Sequence, residues 1–137
     1  MMATEMSLSP VRSAPGPEQR VILVAEDEVI ILEFVRSTLE RAGHFVLVAC
    51  DGLEALEVSE SFRGSIDAVV TDVKMPQLDG LELVERLLVQ RPAVRVLFMS
   101  GKTDSSPRYG CGFLPKPFSA AVLRERVGPL VAQVRTA

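Results

Sequence analysis

An α/β fold, with a parallel sheet covered by helices on both faces, is predicted by three observations. Apolar runs of strand length alternate with stretches of helical periodicity from Val21 onward. Runs such as Val21-Ile22-Leu23-Val24-Ala25 and Ala68-Val69-Val70 are apolar throughout, as strands buried on both faces must be. Four of the runs end in reactive side chains: Glu26-Asp27, Asp72, Ser100 and, two residues beyond Leu114, Lys116. Open α/β sheets place their chemistry at that carboxyl edge.

The elements follow in order. Residues 1–20 carry Pro10, Pro15 and Pro17 among Ser, Ala and Gly and read as a flexible tail; the domain spans 21–137. After the first strand, 21–25, a helix is predicted over 28–42, burying Ile30, Ile31, Phe34, Val35 and Leu39, with Gly43 in the C′ position. A second strand spans 45–49, and Asp51 caps a second helix reaching residue 60. The third strand covers 66–71. A helix over 81–90 turns Leu81, Val84, Leu87 and Leu88 inward and stops before Pro92. Residues 94–99 form the fourth strand and 112–114 a short fifth. Ser119 caps a last helix toward 134, which Gly128-Pro129 should bend or interrupt. Only 13 residues separate Met99 from Phe113, three of them Gly, so the fourth helix is expected to be short or missing.

A chain of 137 residues has the length of one domain, and 47% hydrophobic with 24% charged residues is a globular composition. The net charge of −3 argues against direct nucleic-acid contact. No apolar run approaches the roughly 18 residues of a membrane span. The start of the chain has no export signal. Cys50 and Cys111 read as reduced thiols. A cytoplasmic protein is therefore expected. Three carboxylates, one hydroxyl and one ammonium at adjacent strand ends suit Mg²⁺ together with a phosphoryl group.

Glu26-Asp27, Asp72 with Lys74-Met75-Pro76 behind it, Ser100, and Lys116-Pro117-Phe118, each in order after its own strand, resemble the receiver domain of two-component response regulators. The resemblance covers essentially 21–134 and implies a flavodoxin-like, doubly wound five-stranded sheet of order 2-1-3-4-5. It further implies that Asp72 accepts a phosphoryl group from a sensor histidine kinase or histidine phosphotransfer protein. Asp27 and Asp72 would ligate Mg²⁺ (or Mn²⁺ in its place), Glu26 would act on the metal through water, and the Lys74 carbonyl would be a further ligand. Ser100 would hydrogen-bond the phosphoryl group, Lys116 would pair with its charge, and Phe113 would hold the aromatic switch position. Such a protein is a signalling phosphoprotein, catalysing only its own phosphorylation and dephosphorylation and signalling to a separate protein partner.

Elementary chemistry supports those roles. Three carboxylates round one pocket should hold protons more tightly than normal until a cation arrives. A carboxylate nucleophile yields an aspartyl phosphate, and the added charge draws on the neighbouring hydroxyl and ammonium. Two departures stand out. Pro115 lacks a backbone donor and suits only an edge strand, and Lys116-Pro117 permits a cis peptide. The shortened fourth-helix region predicts intact phosphorylation chemistry with an altered output surface. Lys74 and Lys102, two residues beyond Asp72 and Ser100, flank the expected entrance and should alter the lifetime of the aspartyl phosphate. His44 is expected at the exposed surface, and Tyr109 and Cys111 have no assigned role. The competing reading is a phosphorylation-independent binding module on the same fold, a pseudo-receiver. An aspartate-nucleophile phosphatase is set aside, because Lys74 stands where its second Asp would be.

Overall fold

The computed structural model of this chain, which describes residues 14–101 and 112–132, contains one parallel five-stranded sheet. Its strands are β1 (Val21–Ala25), β2 (Phe45–Ala49), β3 (Ala68–Asp72), β4 (Arg95–Ser100) and β5 (Gly112–Pro115). They lie in the order β2-β1-β3-β4-β5, the doubly wound 2-1-3-4-5 arrangement. The described helices are α1 (Val29–Arg41), α2 (Gly52–Ser61), α3 (Gly80–Gln90) and α4 (Ala120–Ala132). The expected shortening of the crossover between β4 and β5 falls on residues 102–111, outside the described residues, as do Lys102, Tyr109 and Cys111.

Side chains alternate across each strand, so the sheet divides the core in two. Val21, Leu23 and Ala25, with Val69, Val96 and Phe98, pack under α2 and α3 through Ala55, Leu56, Leu83, Val84 and Leu87. Ile22 and Val24, with Val70, Leu97 and Met99, pack under α1 and α4 through Leu32, Val35, Leu39, Leu123 and Val127. The register Leu23↔Val69 between β1 and β3 preserves this division; a slip of one residue would exchange the two faces. Leu39 is fully buried, and its truncation to Ala would cost about 3 kcal/mol.

Local chemistry sets the helix ends. The side chains of Asp51 and Asp79 accept the N–H groups of Glu54 and Glu82, and Ser119 Oγ accepts that of Val122. At the end of α1, Gly43 (φ 99°) donates to the Glu40 carbonyl and His44 to that of Leu39, a Schellman closure. The Arg91 guanidinium bonds the carbonyls of Ser59 and Phe62, which satisfies the C-terminus of α2 from a neighbouring element.

Several expectations are corrected. Ile30 is 85% exposed and Phe34 40%; the inward stripe of α1 is Leu32, Val35, Thr38 and Leu39. Ile30 and Phe34 share a helical face that turns away from the sheet, so a run of apolar residues misled the phase. In α3, Leu83 is fully buried, and Leu81 and Leu88 lie only partly covered at the edge of the stripe. α4 continues through Gly128 and Pro129 without interruption. The carbonyl that Pro129 leaves without its helical donor belongs to Glu125, which is exposed to water. His44 is half-buried rather than exposed. Gln19 and Arg20 are bonded to the domain: Gln19 donates its side-chain amide to the Gly43 carbonyl, and Phe45 donates its N–H to that of Arg20. β5 is an edge strand, as Pro115 requires.

Candidate functional site

β1 brings two acids to the carboxyl edge and divides them. The Glu26 N–H still donates to the Ala49 carbonyl of β2, so the chain leaves the sheet one residue late. Glu26 is fully buried and Asp27 is exposed. Asp72, last in β3 and partly exposed, completes the group: one carboxylate oxygen from each of the three lies within 4.8 Å of the others. An oxygen-only cluster, one member buried and two reaching solvent, fits a hard cation such as Mg²⁺.

Lys116 spans the cluster. Its Nζ donates to Glu26 Oε1 at 2.8 Å and to Asp72 Oδ2 at 3.2 Å. The other Glu26 oxygen accepts the Glu28 N–H at 3.0 Å. Burial raises the proton affinity of the Glu26 carboxyl above its usual value, and the Asp72 charge adds to this; the bonds from Lys116 and Glu28 oppose it. Repulsion among carboxylates, the expected cause, is therefore secondary to burial. For Lys116, burial disfavours the charged form, but Glu26 and then Asp72 outweigh it and hold the ammonium above its usual pKa.

Ser100 is buried at the end of β4, and its carbonyl accepts the Lys116 N–H at 2.8 Å, so two site residues share a main-chain bond. The Lys116-Pro117 peptide is cis. Phe113 is half-buried, packs against the core beneath α2 and α3, and its carbonyl accepts Arg126 Nη1 at 2.6 Å.

The loop leaving Asp72 carries an exposed Lys74 between fixed points. Val73 donates to the Met99 carbonyl at 3.1 Å, and Gly80 closes the loop on the Val73 carbonyl at 2.7 Å. Met75 and Leu78 are buried. A Cβ on Gly80 would stand 2.0 Å from the Asp72 carbonyl oxygen, so α3 begins there only because that residue is glycine. Thr71, fully buried, donates its hydroxyl to the same carbonyl at 2.9 Å.

The sequence reading missed the Glu28 N–H, Thr71, Gly80 and an apolar rim. Val29 (63% exposed), Ile30, Phe34 and Val122 are exposed, and the ring centroid of Phe34 is 6.2 Å from that of Phe118. In sequence these residues adjoin the site, Val29 two residues past Asp27 and Phe118 two past Lys116. The rim's one legible signal was the overlong apolar run 29–32 directly after the acids.

The family model of the response regulator receiver domain matches residues 22–128. The sensor kinase CckA of Brucella abortus is 36% identical over 113 residues, covering 78% of this chain and 12% of that protein. The response regulator MprA of Mycobacterium ulcerans is 35% identical over 120 residues, covering 83% of this chain and 51% of that protein. The chain thus spans about half the length of the curated regulator and a small part of the kinase. The crystal structure of a response regulator receiver protein from Sinorhizobium medicae superposes with a TM-score of 0.78 at 31% identity, covering 88% of this chain and all of that one. No helix among the described residues is long and apolar enough to cross a membrane.

Proposed function

This chain belongs to the response regulator receiver family, and from that premise we propose that Asp72 accepts a phosphoryl group from a phosphohistidine of a sensor histidine kinase or histidine phosphotransfer protein. The convergence of Glu26, Asp27 and Asp72, two of them bonded to one ammonium and Asp72 partly exposed, is the observation that carries the reading. An Asp72 carboxylate oxygen attacks phosphorus as the phosphorus–nitrogen bond breaks, and the imidazole leaves with a proton taken from solvent. Asp27, Asp72 and the Lys74 carbonyl would hold Mg²⁺, or Mn²⁺ in its place, and Glu26 would reach it through water. The bound ion supplies charge neutralisation for the phosphoryl oxygens.

Lys116 already stands beside Asp72 and provides the cation for the new charge. Ser100 provides a hydroxyl. Because the Ser100 carbonyl holds the Lys116 N–H, a pull on either passes to β5, on which Phe113 lies three residues before Lys116. This supports a switch that signals to a separate protein partner. The exposed rim of Val29, Ile30, Phe34 and Val122 supports docking of the donor protein over Asp72. The chain then acts in the cytoplasm and catalyses only its own phosphorylation and dephosphorylation.

The test is incubation with Mg²⁺ and a small acyl-phosphate or phosphoramidate donor, read by intact mass for wild type and Asp72→Asn. A gain of one phosphoryl group in wild type alone supports the reading. No gain by folded, Mg²⁺-loaded wild type would replace it with the phosphorylation-independent module.

A further inference from the structure

Gly52, the first residue of α2, is outside the carboxylate cluster, yet its backbone is pressed against the loop that leaves Asp72. A Cβ added there would stand 2.2 Å from the Leu78 carbonyl oxygen and 2.8 Å from Leu78 Cβ. Neither atom is the movable end of a side chain, so a methyl group must displace either the loop or the helix. The helix is poorly placed to yield. Asp51 caps it, and Ala55 and Leu56 anchor its first turns in the core. The loop is tight as well: Gln77 turns with φ 72°, and the Leu78 N–H donates to the Pro76 carbonyl at 2.9 Å. Lys74 lies between these fastenings and the Val73–Gly80 bond.

We infer that Gly52 is a positioning residue for the metal: by bracing Leu78 it holds the Lys74 carbonyl where Mg²⁺ requires it, and so sets the preference for Mg²⁺ over Ca²⁺. This rests on the proposed reading of the Lys74 carbonyl as a ligand. Mg²⁺ demands near-octahedral oxygens at about 2.1 Å, whereas Ca²⁺ accepts irregular sets at roughly 2.3–2.6 Å. A loop displaced by a fraction of an ångström therefore penalises Mg²⁺ more. Loss of folding alone would not change the ratio of the two affinities.

The experiment titrates Mg²⁺ and Ca²⁺ calorimetrically into wild type, Gly52→Ala and Val131→Ala. Val131 is buried on the opposite face of the sheet and serves as a destabilised control. Gly52→Ala should weaken Mg²⁺ about tenfold and Ca²⁺ less than about threefold, while Val131→Ala keeps the wild-type ratio. An unchanged ratio in Gly52→Ala, or an equal change in Val131→Ala, overturns the inference. If Gly52→Ala does not fold, Leu78→Ala takes its place. It keeps the atoms that meet Gly52 but removes the buried side chain that seats them there, and should move the ratio in the same direction by a smaller factor; an unmoved ratio again overturns the inference. Wild type that binds neither ion overturns the metal reading itself, an outcome distinct from wild type that binds while the variants keep its selectivity.

Discussion

β3 begins and ends beside an aspartate, and the two have opposite fates. Asp67, at the amino end of the sheet, is almost wholly buried and accepts the Val21 N–H at 2.7 Å. Its own N–H and carbonyl bond the main chains of β1 and β4, at Val21 and Arg95. Asp72, at the carboxyl end, is partly exposed, and its partner is the Lys116 ammonium, 3.2 Å away and shared with Glu26. A sheet amide cannot leave its carboxylate without breaking the ladder, whereas an ammonium on a flexible stem can be exchanged for another cation. The kind of donor thus separates the structural carboxylate from the one proposed to react.

The largest expected effect tests that contrast directly. Asp72→Asn should abolish phosphoryl labelling while stability stays within about 1 kcal/mol. Asp67→Ala should do the reverse, costing about 2 kcal/mol in urea unfolding because the Val21 N–H is left buried without its carboxylate, with labelling retained. Labelling lost in Asp67→Ala at temperatures where it is folded would break the comparison.

Lys116→Met sharpens it. Removing an exchangeable partner strands the buried Glu26 charge, which should cost about 2 kcal/mol without metal. The same change should tighten Mg²⁺ about tenfold, because the ion no longer competes with an ammonium for Glu26 and Asp72. Weaker Mg²⁺ binding would mean that Lys116 organises the carboxylates rather than occupying them.

Ile30→Glu should slow transfer from a protein donor about tenfold and leave labelling by a small donor unchanged, as a docking rim outside the chemistry requires. Equal loss with both donors would place Ile30 in the site. The smallest effect concerns His44, at the amino end. Burial and then the charge of Arg20 hold its imidazole below the usual pKa, with Asp67 partly opposing. The folded protein then binds fewer protons than the unfolded chain just below about pH 6.5, so stability should decline as pH falls through that value. Following urea midpoints against pH, His44→Gln should flatten the decline; an identical slope would show that His44 does not contribute.

Features written in short stretches of chain were legible. Asp51, Ser119 and Gly43 announced helix ends because caps act across three or four residues. The apolar runs announced buried strands, and the acids, serine and lysine after them marked the carboxyl edge. The phase of α1 was not legible, since Val29, Ile30, Ile31 and Leu32 are alike in hydrophobicity and only the packed sheet chooses Leu32. Asp67 gave no sign of its role, because its partner Val21 is 46 residues away.

The strand–helix order, the carboxyl-edge address of Glu26, Asp27, Asp72, Ser100 and Lys116, and the family to which they belong are readable from the chain alone. Periodicity, caps and strand-end positions act between near neighbours, and that information is complete in the chain. Tertiary structure alone decided that Glu26 is buried while Asp27 is exposed, that Lys116 reaches Glu26 across 90 residues, and that Gly52 meets Leu78. These contacts join elements through the folded sheet, and their distances are set only when both faces of the core have packed.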